Sequence, residues 1–123
     1  MSSNPAVWFE IYVNDLARAK AFYEAVLQLE LTPLEMPGFE MLRFPATEEG
    51  YGIGGALVRH ADFPAGGSGS IIYFGCDDCA VEAGRVEAAG GQVVQPKFSI
   101  GEYGNTALAR DTEGNTIGFH SMA

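Results

Sequence analysis

The sequence predicts an α+β protein built from two modules, each running strand, helix, strand, strand, strand. Three observations carry this reading. The short aromatic and β-branched run Trp8 to Val13 leads into Asn14-Asp15, and the run Ile71 to Cys76 leads into Asp77-Asp78, so that Asp15 and Asp78 stand 63 residues apart. The segment Glu49-Gly50-Tyr51-Gly52-Ile53-Gly54 is echoed by Glu113-Gly114-Asn115-Thr116-Ile117-Gly118 at a spacing of 64. Between the halves, His60 to Ser70 holds Pro64, Gly66, Gly67, Ser68 and Gly69, the composition of a flexible connector. Two matches at nearly one spacing mark a duplicated unit of about half the chain. The first module is placed at residues 1–60, the connector at 61–70 and the second module at 71–123.

Each element follows from local pattern. Residues 7–13 suit a strand. Asp15 is a natural N-cap, and Leu16, Ala19, Phe22, Tyr23, Val26 and Leu27 recur at helical spacing. Strand-like runs follow near 30–36, 39–45 and 52–58, and Pro33, lacking an N–H, assigns the first of these to a sheet edge. The second half repeats the order. Residues 71–76 form a strand, and Asp78 caps a helix with Cys79, Ala83 and Val86 on one face. Gly90-Gly91 ends that helix, and strands follow near 92–97, 105–110 and 115–120.

Composition narrows the function. The chain has 123 residues, 47% hydrophobic and 19% charged, enough for an ordinary core. No run reaches the roughly 20 apolar residues of a membrane helix. Met1 to Pro5 lacks the basic-then-apolar pattern of a secretory signal, so the expected location is the cytoplasm. Sixteen acidic against 7 basic residues give a net charge of −9, which repels a phosphate backbone and makes nucleic acid an unsuitable partner. The same charge suits a cationic small molecule. Cys76 and Cys79 form a C-x-x-C pair, but their counterparts in the first half, Val13 and Leu16, are plain core residues. That equivalence favours small apolar packers over a redox pair or half of a zinc site.

The run Phe9-Glu10-Ile11-Tyr12-Val13-Asn14-Asp15-Leu16, followed by Ala21-Phe22-Tyr23, resembles the opening of the vicinal oxygen chelate superfamily, which includes glyoxalases, bleomycin-resistance proteins and extradiol dioxygenases. Asp78 to Gly91 and the turn Asp111 to Gly118 resemble that family's second module, so the resemblance spans nearly the whole chain in order. It implies two βαβββ modules curled around a cavity, often at a homodimer interface. Metal-dependent members carry ligands on the first and last strands of each module. Those positions here are Trp8 and Ile71, seven residues before Asp15 and Asp78, and Gly54 and Gly118 on the last strands. Trp offers no lone pair, Ile no polar atom and Gly no side chain, so none can hold a metal. The expected cofactor set is empty.

Strand alternation identifies what faces the cavity instead. With Trp8 inward, Glu10 and Tyr12 are inward too, while Phe9, Ile11 and Val13 pack on the helix. Ile71, Tyr73 and Gly75 line the cavity from the second half. On the last strand Gly118 and His120 share one face, opposite Ile117 and Phe119. Leu42 and Phe44 read as core, which turns Met41 and Arg43 to the cavity. The glycines at 54 and 118 leave room where the family places carboxylates. Trp8, Tyr12, Met41, Arg43, Gly54, Tyr73 and Gly118 are therefore candidate ligand-binding residues. Glu10 and His120 are candidate acid–base groups. The bland alternatives are that Glu10 pairs with Arg43 as a structural ion pair, that Trp8 and Tyr73 are ordinary core aromatics, and that His120 and His60 are solvated.

Three functions are compatible with this set. The first is a metal-free protein that binds a small cationic or aromatic molecule, with acidic charge and aromatic walls as the recognition elements. The second is a metal-independent isomerase- or lyase-type enzyme using Glu10 or His120. The third is a metal-dependent glyoxalase-type lyase with ligands outside the usual positions. A homodimer is expected in each case.

Overall fold

The computed structural model describes residues 6–66 and 70–123. Met1 to Pro5, read above as free of a secretory signal, and Gly67 to Gly69 of the connector lie outside the described residues. The first half consists of β1 (Trp8–Tyr12), α1 (Leu16–Leu27), β2 (Thr32–Met36), β3 (Phe39–Arg43) and β4 (Gly54–Arg59). The second consists of β5 (Ile72–Gly75), α2 (Cys79–Ala83), β6 (Gln92–Ser99), a 3-10 turn (Gly101–Tyr103), β7 (Asn105–Arg110) and β8 (Thr116–Ser121). Each half folds into its own four-stranded mixed sheet, in the orders β1-β4-β3-β2 and β5-β8-β7-β6. β1 runs parallel to β4 and β5 parallel to β8, while the remaining pairs are antiparallel. This is the glyoxalase/bleomycin-resistance architecture, and β2, with its Pro33, is indeed a sheet edge.

The two aspartate caps form as the sequence indicates. Asp15 accepts from the backbone N–H of Arg18 at 3.0 Å and Asp78 from that of Ala80 at 3.0 Å. Satisfying one orphan N–H at each helix start is typically worth ~1 kcal/mol. The residues ahead of the caps are equivalent as well: Val13 N–H reaches the Val58 carbonyl and Cys76 N–H the His120 carbonyl, each continuing a parallel ladder.

The second helix is shorter than its pattern suggests. It closes at Ala83, and residues 84–90 continue as tight turns with Val86, Ala89 and Gly90 bonded three residues back. Gly84, a poor helix residue by ~1 kcal/mol relative to Ala, stands where the regular ladder is lost. Val86 nevertheless stays fully buried, so the apolar face predicted for this stretch is kept.

The core lies between the helices and the sheets and draws on both halves. Phe22, Tyr23, Leu57, Val86, Ile117 and Phe119 are at most 1% exposed, and each such burial is worth roughly 1.5–3 kcal/mol. Phe74 ties the modules together, its ring 6.0 Å from Phe9, 6.0 Å from Tyr23 and 5.7 Å from Phe44. The Phe9 ring lies flat against Gly55 on the neighbouring strand, and any side chain there would occupy the ring's place.

A buried polar junction completes the contact between halves. The carboxylate of Glu113, in the turn between β7 and β8, accepts the backbone N–H groups of Asn14 and Asp15, both at 2.9 Å. It also accepts Arg18 Nε at 2.7 Å, Arg18 Nη2 at 2.8 Å and the Thr112 hydroxyl at 2.9 Å. Burial opposes its ionisation, but the Arg18 guanidinium and the other donors outweigh that and hold its pKa at about 2. Beside it, Asp111 accepts the Tyr23 hydroxyl at 2.6 Å, and burial together with that carboxylate pushes the Tyr23 phenol well up. The connector's described part is anchored to both halves. Ala65 N–H donates to Asn14 Oδ1 at 3.1 Å and Gly66 N–H to Asn115 Oδ1 at 3.0 Å.

Candidate functional site

Alternation along β1 sends Ile11 into the core and Trp8, Glu10 and Tyr12 to the opposite face of the sheet. Strand register carries that face across the sheet. Glu10 lies beside Ala56 and Ala56 beside Arg43, while Tyr12 lies beside Val58 and Val58 beside Met41. Met41, Ala56 and Val58 form a second, smaller apolar cluster with Tyr12 packed against it. Trp8 pairs with Gly54, and its ring lies over that glycine, where an added Cβ would stand 3.4 Å away.

Glu10 is the polar centre of this face. Its carboxylate accepts Trp8 Nε1–H at 3.2 Å and the Tyr12 hydroxyl at 2.8 Å. Donation to the Glu10 carboxylate, with a lesser contribution from burial, raises the Tyr12 pKa above its ordinary value. The ion pair with Arg43 considered from sequence does not form: among the described residues, neither Glu10 nor Arg43 is in a salt bridge. The reason is geometric. A whole strand, carrying Ala56, separates them, or about 9.6 Å at ordinary strand spacing, whereas Trp8 and Tyr12 sit on the same strand as Glu10.

In the second half, Tyr73 pairs with Gly118 and Gly75 with His120. The Tyr73 ring lies across Gly118 and would collide with any side chain there. His120 Nε2 lies 2.7 Å from the Tyr103 carbonyl. A carbonyl only accepts, so Nε2 carries a proton and donates it. The register also corrects the equivalence drawn from sequence, since the strand neighbour of Gly118 is Tyr73, two residues beyond Ile71. The positions that the resemblance marks for ligands, Trp8, Ile71, Gly54 and Gly118, carry no side chain able to bind a metal. Among the described residues, no three His, Cys, Asp or Glu side chains gather to hold a metal. The donor set does not fit a catalytic divalent ion.

The predicted residues do not share one cavity within the chain. Glu10 and Tyr12 line a cavity of about 490 Å³ at the junction of the halves, where Asp62 and Phe63 of the connector join them. Tyr73 and His120 line a separate groove of about 970 Å³ with Tyr51, Ile53, Ile71 and Met122. Trp8, Met41, Arg43, Gly54 and Gly118 line neither. The division arises because the two sheets are separate ladders joined through the aromatic core rather than one continuous surface. It also places Glu10 and His120, the two candidate acid–base groups, in different cavities.

Sequence reasoning missed an aromatic chain beside Glu10. The Tyr12 and Phe63 ring centroids are 5.7 Å apart, Phe63 and His60 5.1 Å, and His60 and Phe39 4.6 Å. His60, read as solvated, is half-buried between two phenylalanines, and its Nδ1 accepts the Asp62 N–H at 3.1 Å. A signal for two of these was available: Phe39 has the strand parity of Met41, and His60 that of Val58. For Phe63, within a polar connector, there was none.

The cysteines are packing residues. Both are free thiols, and Cys79 is fully buried with its N–H on the Ser121 hydroxyl at 2.9 Å. Burial first, then the nearby Glu82 carboxylate, pushes the Cys76 thiol up to about 12, so it stays protonated and a poor nucleophile.

Comparison with known proteins bears on the fold. Residues 6–45 match the family model described as bleomycin resistance protein-like N-terminal. The chain is 29% identical over 108 residues, 88% of its length, to the Mycobacterium bovis protein named "Putative glyoxylase CFP32". It spans only 40% of the length of that curated relative. Among solved structures, it superposes on TnmS3, an antibiotic binding protein from Streptomyces sp. CB03234, with a TM-score of 0.69 and 25% identity, covering 100% of this chain and 99% of that one. A glyoxalase/bleomycin resistance protein from Albidiferax ferrireducens T118 gives 0.65 and 25%, covering 94% of this chain and 98% of that one.

Proposed function

We propose that this chain is a member of the vicinal oxygen chelate superfamily, which its sequence and fold resemble, and that within it the protein binds a small cationic or aromatic molecule without using a metal ion. The observation that carries the reading is Glu10. It is an exposed carboxylate oriented by two aromatic donors, on the sheet face that also carries Met41, Ala56, Val58 and, a strand further on, Arg43, and it is in no salt bridge among the described residues. A carboxylate oriented by two donors and free of an ion-pair partner suits a cation from outside, and the ring of Tyr12 beside it supplies flat apolar contact. The antibiotic binding described for TnmS3 is consistent with this use of the fold.

We place the protein in the cytoplasm and read it as a homodimer. No helix among the described residues is long and apolar enough to cross a membrane. Trp8, Tyr51, Ile71 and Tyr73 are large apolar residues left more than 40% exposed on one chain, a surface that pairing of two copies would cover. Sedimentation should therefore show a dimer at micromolar concentration, and monomer alone would refute it.

The direct test is a thermal-shift screen of cationic, neutral and anionic aromatic compounds, in chelator, on wild type and Glu10→Gln. A bound ligand at a hundredfold excess over its dissociation constant should add about 2.7 kcal/mol. Glu10→Gln, a change at an exposed site, should leave stability within about 0.5 kcal/mol and weaken cation binding about tenfold or more through loss of a charge-assisted contact. Undiminished affinity in a well-folded Glu10→Gln protein would overturn the reading.

A further inference from the structure

We infer that the 490 Å³ cavity at the junction of the two halves is an ammonium pocket, in which Asp62 and Phe63 of the connector complete the recognition surface begun by Glu10 and Tyr12. The inference rests on the reading of Glu10 as a ligand-binding carboxylate and extends it to a ligand class and to two residues outside both sheets.

The argument starts from what the cavity offers. Its acidic members are Glu10 and Asp62, and neither is in a salt bridge among the described residues. Its rings are Tyr12 and Phe63, with centroids 5.7 Å apart and planes 60° to each other. Two tilted rings converging beside carboxylates form a corner that attracts positive charge. The ring faces offer their quadrupole to a cation, and the carboxylates supply the net charge. Neutral amides and hydroxyls contribute the remaining polar lining through Ser70, Asn115 and Thr116, and among the described residues no Lys or Arg lines the cavity. An anion would find no basic partner there, and a neutral apolar ligand would leave two carboxylates desolvated and unpaired.

The rings are also held in place, which lowers the cost of binding. Phe63 packs against His60, whose centroid is 5.1 Å away, and His60 against Phe39 at 4.6 Å. The Asp62 N–H donates to His60 Nδ1 at 3.1 Å, fixing the backbone between the acid and the ring. Tyr12 is tied by its hydroxyl to Glu10 at 2.8 Å. A methylated ammonium group attached to a planar ring matches this pocket, with the charged head between Glu10 and Asp62 and the apolar body along Tyr12 and Phe63. A strongly hydrated primary amine would use the carboxylates but gain less from the rings.

The test uses benzyltrimethylammonium as probe, with benzyl alcohol and phenylacetate as neutral and anionic counterparts, titrated into the full chain and followed by backbone amide shifts. Saturable shifts at Tyr12, Asp62 and Phe63 are expected with the cation, with affinity at least tenfold above that of either counterpart. Asp62→Asn and Phe63→Ala are exposed, connector positions and should fold as wild type. Each should weaken the cation roughly fivefold, the range expected for a partly desolvated cation–π or charge contact. Equal affinity for benzyl alcohol, or wild-type affinity in both connector variants, overturns the ammonium pocket. If Glu10→Gln alone weakens the probe while the connector variants do not, the metal-free binding reading survives and this inference fails. If a compound binds with its shifts confined to the Tyr73–His120 groove, both fail.

Discussion

Glu113 binds the two halves together at the scale of one side chain. It collects five hydrogen bonds from four residues, three of them more than 90 positions earlier in the chain. Its folded pKa, about 2, lies below the ordinary carboxylate value, so the folded state binds the proton less readily than the unfolded chain does. The resulting stability is fully present above the unfolded pKa, near 4.3, and is lost as pH falls through about 2. The shift corresponds to something on the order of 3 kcal/mol. Denaturant titrations of wild type should thus show stability dropping between about pH 4.5 and 2. Glu113→Gln should be less stable at neutral pH and show a smaller drop, and an unchanged acid profile would exclude this role. The difference in legibility between Glu113 and Glu10 is physical. Glu10 could be placed by alternation within five residues of β1, because a strand has only two faces. Glu113 sits in a turn and acquires its meaning from Asn14, Asp15 and Arg18, which only tertiary folding brings near. His60 and Phe63 escaped for the same reason, since a connector carries no periodicity to say which way a ring will turn.

At the scale of elements, what was legible is what is local. Asp15 and Asp78 announce their helices because an N-cap needs only a side-chain oxygen and an N–H two or three residues away. The apolar stripe of α1 is buried at Ala19, Phe22, Tyr23 and Val26, as its spacing requires. The early end of α2 was hidden because Val86 stays on the same buried face whether residues 84–90 are helical or tightly turned, so the pattern does not distinguish the two. Register was hidden as well. Trp8 pairs with Gly54, but Gly118 pairs with Tyr73 rather than Ile71. Counting back from a cap fixes a residue along its own strand, and the neighbour across the ladder is set by how the two strands slide during packing. Both glycines end up beneath aromatic rings, so the repeat preserved an arrangement, ring over glycine, while shifting the residues that make it.

For the whole molecule, the duplication at spacings of 63 and 64 was enough to give two βαβββ units, because each unit's hydrophobic pattern is complete in itself. The single shared cavity did not follow. How two half-sheets face one another depends on the Phe9, Tyr23, Phe44 and Phe74 cluster between them, and no one-dimensional pattern encodes that contact. For the proposed function, the positions that the resemblance marks for metal ligands carry Trp8, Gly54, Ile71 and Gly118, none of which can hold a metal, and the proposal assigns recognition to Glu10 and its aromatic neighbours. The measurement that tests this most directly is the melting temperature of chelator-treated protein with and without added Zn²⁺, Ni²⁺, Mn²⁺ or Fe²⁺. The account predicts no rise with any of them, where a hundredfold excess over the dissociation constant of a real site would add about 2.7 kcal/mol. A rise specific to one metal, abolished by Glu10→Gln or His120→Ala, would contradict it.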